Sequence, residues 1–195
     1  MSHEAALSDL QKIDIIRARL KRPVALIGMM GAGKTRLGKI LSEKLGLPFF
    51  DSDEEIEKAA GLTIPEIFDK FGEPYFRDGE RRVIKRLIEE GGAIISTGGG
   101  AILNPDTARE LWADTIAIWV RADLDVMLER TSRNDKRPLL KNGDPREIMT
   151  RLMEIRYPLY QQAPIIVESR NGAGDDVLSQ TITSLCDYLM KDDAR

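Results

Sequence analysis

The stretch Gly28-Met29-Met30-Gly31-Ala32-Gly33-Lys34-Thr35 constrains the fold more than any other part of this chain. It matches G-x-x-x-x-G-K-[ST], a glycine-rich phosphate-binding loop, or P-loop, which needs a strand before it and a helix after it. Both flanks comply. Val24-Ala25-Leu26-Ile27 is an apolar run of strand length, and Leu37, Ile40, Leu41 and Leu45 then recur at helical spacing. Glycines let the backbone wrap close to phosphate oxygens, because no Cβ obstructs the approach. Loop amides and the helix N-terminus supply partial positive charge. Gly31, Ala32 and Gly33 form the cradle, Lys34 adds a full charge at the β/γ-phosphates, and Thr35 offers a hydroxyl to Mg²⁺. The chain therefore reads as one that binds a nucleoside triphosphate. What it does with the γ-phosphate is decided elsewhere.

The length of 195 residues suits one full core and is short for two domains. A net charge of −3 argues against nucleic acid as the main partner. The one cysteine, Cys186, excludes an intrachain disulfide and fits a reducing compartment. No apolar run approaches a membrane span. Charges between Leu10 and Leu20 interrupt what a secretory signal would need. A cytoplasmic monomer without a membrane partner is expected.

Residues 1–22 read as an N-terminal extension to a single domain over 23–195. Leu7, Leu10, Ile13, Ile16 and Leu20 keep helical spacing. A short amphipathic helix and a partly disordered extension are equally compatible with that pattern. The basic run Arg17 to Arg22 reads as a solvated helix end. From Pro23 onward, short apolar segments alternate with helical patterns. Strands are expected at Val24–Ile27, Leu47–Phe50, Ala93–Ser96, Ile116–Val120 and Ile165–Val167. Apolar residues on both faces indicate a parallel sheet covered on both sides. The fold class is α/β, a three-layer P-loop sandwich with a five-stranded parallel sheet flanked by helices. Two inserts break the alternation. Residues 53–80 hold more than one helical segment, with a capping box at Thr63-Ile64-Pro65-Glu66. Residues 131–145 are polar and basic, and in a P-loop protein such a loop suits a lid over the phosphates.

Phe50-Asp51-Ser52-Asp53 ends the second strand. Ligands sit beyond the carboxyl ends of strands in an open α/β sheet, so both carboxylates face the P-loop. Residues two apart on an extended chain point the same way. One carboxylate can reach the Mg²⁺ shell while the other accepts a proton from an acceptor hydroxyl. Asp53 could also cap the next helix, a role compatible with catalysis, but with the P-loop one strand away the functional reading is favoured. Gly98-Gly99-Gly100-Ala101 after the third strand permits either close backbone approach to a ligand or a tight turn. Arg77, Arg130, Arg137 and Arg156 stand at ligand-facing places, and arginine suits planar capture of carboxylate and phosphate. Arg81, Arg82 and Arg86 read as solvated surface residues, and Cys186 as packing.

The ordered set of motifs resembles shikimate kinase, from Val24 to about Leu189. The matching pieces are the P-loop, the aspartate pair at Phe50–Asp53, and Gly72-Glu73-Pro74-Tyr75-Phe76-Arg77 with Glu80. The triple glycine, Arg137-Pro138-Leu139-Leu140 and Arg156-Tyr157-Pro158-Leu159-Tyr160 complete it. The P-loop alone is shared by many families; six motifs in order are specific. The resemblance implies ATP-dependent, Mg²⁺-requiring phosphorylation of the 3-hydroxyl of shikimate, a step of aromatic amino acid biosynthesis. By position it implies that Asp53 holds the shikimate hydroxyls and is the base, and that Arg77 and Arg156 clamp the carboxylate. Gly98, Gly99 and Gly100 would line the acceptor pocket, the 53–80 insert binds the acceptor, and 131–145 is the lid. Thr35 and Asp51 would organise Mg²⁺, Lys34 and Arg137 would stabilise the transferring phosphoryl group, and Arg130 would lie along the adenine. Two departures stand out. Gly79 falls within a helical stretch, where glycine costs about 1 kcal/mol relative to alanine. Residues 168–174 lack a proline common in the family's adenine-side loop. A kinase for gluconate or a nucleoside monophosphate, and a nucleotide-binding regulatory module, are the alternatives.

Overall fold

The computed structural model describes residues 7–132, 143–170 and 174–192. Five strands form one parallel sheet: β1 (Val24–Ile27), β2 (Phe49–Asp51), β3 (Ile94–Ser96), β4 (Ile116–Arg121) and β5 (Ile165–Glu168), in the order β2-β3-β1-β4-β5. The helices are α1 (Asp9–Arg19), α2 (Lys34–Leu45), α3 (Ser52–Ala60), α4 (Ile64–Glu90), α5 (Pro105–Asp114), α6 (Leu124–Ser132), α7 (Pro145–Tyr160) and α8 (Gly174–Asp192). A 3₁₀ turn, Ala101–Leu103, follows the triple glycine.

The central strands are apolar throughout because helices cover them. Every residue of β1 and β3 is buried, as are the first five of β4. The edges differ from that expectation. β2 is only partly buried, and β5 alternates, with Ile166 exposed. An edge strand has a neighbour on one side only, so the protein covers it less.

The register places the functional ends together. Asp51 of β2 pairs with Ser96 of β3, and Ser96 pairs with Leu26 of β1. The carboxyl ends of three adjacent strands thus carry the aspartate pair, the triple glycine and the P-loop at one level. α4 begins as the capping box anticipates, with Thr63 accepting from the Glu66 amide and the Glu66 carboxylate accepting from the Thr63 amide. It kinks at Gly72, whose φ of 78° and ψ of 173° are non-helical, and Pro74 follows at the new start. Gly79 faces open space, with nothing within 4 Å of where its Cβ would lie.

Residues 9–19 form a helix, which settles the two readings of that pattern for this stretch. α1 packs on α8 and α2, burying Ile13 and Ile16, while Leu7 and Leu10 stay exposed. The basic run from Arg17 to Arg22, which starts in the last turn of α1, is not simply solvated. Arg17 donates to the carbonyls of Lys44 and Leu45, closing the C-terminus of α2. Arg22 donates to Asp192 and to the Tyr188 hydroxyl on α8. Among the described residues no helix is long and apolar enough to cross a membrane.

Candidate active site

The phosphate end is built from backbone. Gly28 turns off β1 at a φ of 140°, and a Cβ there would lie 2.4 Å from the Val120 carbonyl oxygen. Gly31 has a φ of 78°, with the Met127 carbonyl oxygen 2.8 Å from its Cβ position. These two turns therefore require glycine. Gly33, at a φ of 99°, is the N-cap of α2, which carries no side-chain cap and no acidic residue in its first turn. That leaves the helix N-terminus suited to an anion. Lys34 is buried and donates to the carbonyls of Gly28 at 2.9 Å and Met29 at 3.0 Å.

Two contacts tie this loop to its neighbours. The Thr35 hydroxyl donates to Asp51 Oδ2 at 2.8 Å. Arg130 Nη1 donates to the carbonyls of Gly31 and Ala32 and to Ser169 Oγ, and Nη2 to the Arg170 carbonyl. Its guanidinium thus lies across the outer side of the loop. Burial and nearby Arg36 lower its pKa.

The acceptor end is built from side chains gathered around the triple glycine, one after another. A Cβ on Gly98 would lie 2.7 Å from Glu80 Oε1 and 2.9 Å from Asp53 Oδ1. One on Gly99 would lie 3.3 Å from Arg156 Nη1, and one on Gly100 2.7 Å from both Nη atoms of Arg77. Each glycine therefore admits a different charged group, and none of the three has a φ that demands glycine. The tight turn is present as well, with the Ala101 amide donating to the Gly98 carbonyl at 3.1 Å. Ser52, fully buried, accepts from the Gly98 amide at 3.0 Å and pins the loop to α3.

Asp53 reaches the site by a different route from the extended alternation anticipated. Asp51, not Asp53, caps α3: its Oδ1 accepts from the Asp53 amide at 3.1 Å. Asp53 lies in the first helical turn and projects from there toward Gly98. The capping bond bends the chain after one residue, so the period-two rule ends at Asp51.

Electrostatics at this end are tightly shared. Arg77 Nη1 donates to Glu80 Oε2 at 2.7 Å, while its Nε and Nη2 donate to Glu73. Those carboxylates raise the Arg77 pKa against the opposing effect of burial. Glu80 is 2% exposed, and burial raises its carboxyl above the ordinary value although Arg77 opposes the shift. Asp53 pushes Glu80 up and Arg156 pulls it down, so Glu80 feels all three of its charged neighbours. Arg156 is 3% exposed and its pKa is lowered by burial. Glu80 Oε1 and Arg156 Nε make no hydrogen bond among the described residues.

The two ends adjoin. The Cβ position of Gly99 is 3.3 Å from the Gly28 carbonyl oxygen, the atom that accepts from Lys34. Asp53, Arg77, Arg156 and the triple glycine thus meet the P-loop at one place, with Asp51 and Thr35 at the boundary. Arg137 and residues 133–142 of the anticipated lid lie outside the described residues, as do 171–173 on the adenine side. Arg81, Arg82 and Arg86 make surface ion pairs with Asp78, Glu55 and Glu90. Ser52 and Tyr160 received no role from the sequence, though Tyr160 follows Arg156 by one helical turn, a spacing that places both on one face.

A P-loop adjoining a cluster of two guanidinium groups and two carboxylates defines a small-molecule kinase. The comparisons make this particular. A family model described as shikimate kinase matches residues 30–186. A shikimate kinase of Novosphingobium aromaticivorans is 53% identical over 173 residues, covering 87% of this chain and 90% of that protein. One of Rhodopseudomonas palustris is 48% identical, covering 92% and 88%. The solved shikimate kinase of Acinetobacter baumannii, in complex with shikimate, superposes with a TM-score of 0.82 at 34% identity, covering 93% of this chain and 99% of that one. The chain belongs to the shikimate kinase family. A gluconokinase of Sinorhizobium meliloti 1021, at 13% identity and a TM-score of 0.54, shares the fold alone.

Proposed function

We propose that this protein transfers the γ-phosphoryl group of ATP to the 3-hydroxyl of shikimate, giving shikimate 3-phosphate and ADP. The observation that carries this is the triple glycine, whose three missing Cβ atoms make room for Asp53 with Glu80, Arg156 and Arg77 in turn. Two guanidinium groups at one wall suit a small carboxylic acid. Asp53, beside Gly98 on that wall, orients the acceptor hydroxyl and takes its proton as the oxygen attacks phosphorus. Gly98, Gly99 and Gly100 let the acceptor approach the backbone closely. Lys34 moves from the Gly28 and Met29 carbonyls to phosphate oxygens, an exchange of one set of oxygen acceptors for another. Gly31, Ala32 and Gly33 offer amides to the phosphates. Arg130 flanks the adenine, and Arg137, whose place rests on its motif, meets the phosphoryl group.

The donor set fits Mg²⁺. Thr35 Oγ1 and Asp51 Oδ2 are hard oxygens 2.8 Å apart beside the cradle. Among the described residues no group of three or more acidic, His or Cys side chains could hold a metal alone. That suits an ion taken by one or two protein oxygens, waters and phosphate. When bound, Mg²⁺ neutralises charge on the phosphate oxygens. Catalysis is otherwise positioning and electrostatics. The composition fits a cytoplasmic enzyme acting without nucleic acid or membrane.

ADP release measured with shikimate, gluconate and AMP in parallel tests the assignment. Turnover dependent on shikimate is expected. Turnover with gluconate or AMP instead, or ATP binding without any acceptor-dependent ADP, would overturn it in favour of another acceptor or a regulatory module.

A further inference from the structure

We propose that Tyr160 is a positioning residue for the acceptor end, its hydroxyl holding Gly99 and Arg156 in place against the P-loop. This rests on the assignment of Arg156 as a carboxylate clamp. Tyr160 is 1% exposed and ends α7, one turn beyond Arg156. Its hydroxyl donates to the Gly99 carbonyl at 2.5 Å. Gly99 is also the glycine beside the clamp, its Cβ position 3.3 Å from Arg156 Nη1. The one proton of the phenol is thus committed to the loop against which Arg156 sits. Burial raises the Tyr160 hydroxyl well above its ordinary value, so the donated proton persists through neutral and mildly alkaline pH.

The remaining contacts fix this unit relative to the phosphates. From Gly99, the Cβ position is 3.3 Å from Arg156 Nη1, 3.3 Å from the Gly28 carbonyl oxygen and 3.5 Å from the Met30 amide nitrogen. The Tyr160 ring leans on Trp119, with centroids 5.7 Å apart. Trp119 Cδ1 in turn lies 3.3 Å from the Cβ position of Gly28, at the start of the P-loop. One side chain therefore holds the acceptor loop with its polar tip, and leans on the wall of the phosphate loop with its ring.

Tyr160→Phe keeps the ring and removes the hydroxyl. Steady-state kinetics should show the shikimate KM raised about tenfold, the upper end for one neutral hydrogen bond, with the ATP KM within about twofold of wild type. In an Arg156→Lys background the same change should add less than about twofold, because both act through one guanidinium. Placing 4-aminophenylalanine at position 160 restores a weaker donor to Gly99, and should bring the shikimate KM back to about threefold above wild type. Equal rises in both KM values, an unchanged shikimate KM with only a lower Tm, or a full multiplicative effect in the Arg156→Lys background would each overturn the proposal. If Tyr160→Phe does not fold, the 4-aminophenylalanine protein decides: a rise confined to shikimate supports the proposal, and no rise or a shared rise sinks it. If Arg156→Lys itself leaves the shikimate KM unchanged, the clamp fails and the proposal falls with it. If Arg156→Lys raises that KM and Tyr160→Phe does not, the proposal alone fails.

Discussion

The phosphate end and the acceptor end of this site obey different rules. The phosphate end is contiguous in sequence and made of backbone, with glycines at 28, 31 and 33 held at positive φ. Its cation is already satisfied by carbonyls of its own loop. The acceptor end draws Asp53, Arg77, Glu80 and Arg156 from three helices and keeps buried polar atoms, Glu80 Oε1 and Arg156 Nε, without a hydrogen-bond partner among the described residues. Buried polar groups in that state cost stability, on the order of 1–3 kcal/mol each. The lesson is that a general ligand can be held by geometry the backbone supplies. A specific ligand is held by side chains whose cost the rest of the fold must offset.

That contrast predicts separable failures, the largest at the chemical step. Asp53→Asn should lower kcat by about 10²–10⁴, the range for loss of a positioned acid–base group, with ATP affinity nearly intact by calorimetry. Equal loss of both would erase the division between the ends. Arg77→Lys should raise the shikimate KM by roughly tenfold or more, because an ammonium cannot make the planar fork, and the ATP KM should move much less. An effect confined to ATP would refute the clamp.

The glycines sharpen the comparison further. Gly28→Ala meets the Val120 carbonyl and an unfavourable φ, and should lower stability by about 1–3 kcal/mol. Gly98→Ala has no such φ and meets only the ends of the Glu80 and Asp53 side chains, which can shift. It should barely change Tm while impairing shikimate turnover, and a large loss of Tm would show that the acceptor loop is structural instead. The smallest effect concerns pH. Burial raises Glu80 above 4.5, so folding favours its protonated form. Its contribution to stability is complete below about 4.5 and fades as pH climbs through the shifted value. The Tm of Glu80→Gln relative to wild type should therefore rise with pH across that window. A relative Tm that falls there would reverse the assigned shift.

Much of this was legible before any coordinates. The P-loop, the strand order of appearance and the capping box at Thr63 depend on local rules, on glycine torsions, apolar runs and one-turn hydrogen bonds. Asp53, Arg77 and Arg156 stood out through their motifs, but their meeting at Gly98 to Gly100 did not follow from spacing. The aspartate pair shows why. An extended segment was expected to continue to Asp53, and the Asp51 cap instead turned it into α3. Arg17 and Arg22 looked solvated because their partners, the Lys44 and Leu45 carbonyls and Asp192, lie far along the chain.

The sequence by itself determined the phosphate cradle, since eight consecutive residues carry both the torsions and the charge it needs. Only the tertiary structure decided which glycine faces which guanidinium, that Glu80 is buried beside Asp53, and that Tyr160 holds the Gly99 carbonyl. The physical reason is range. Backbone preference acts across a few bonds, whereas the acceptor pocket comes from helices packed on the same edge of a sheet, and no local signal records that packing.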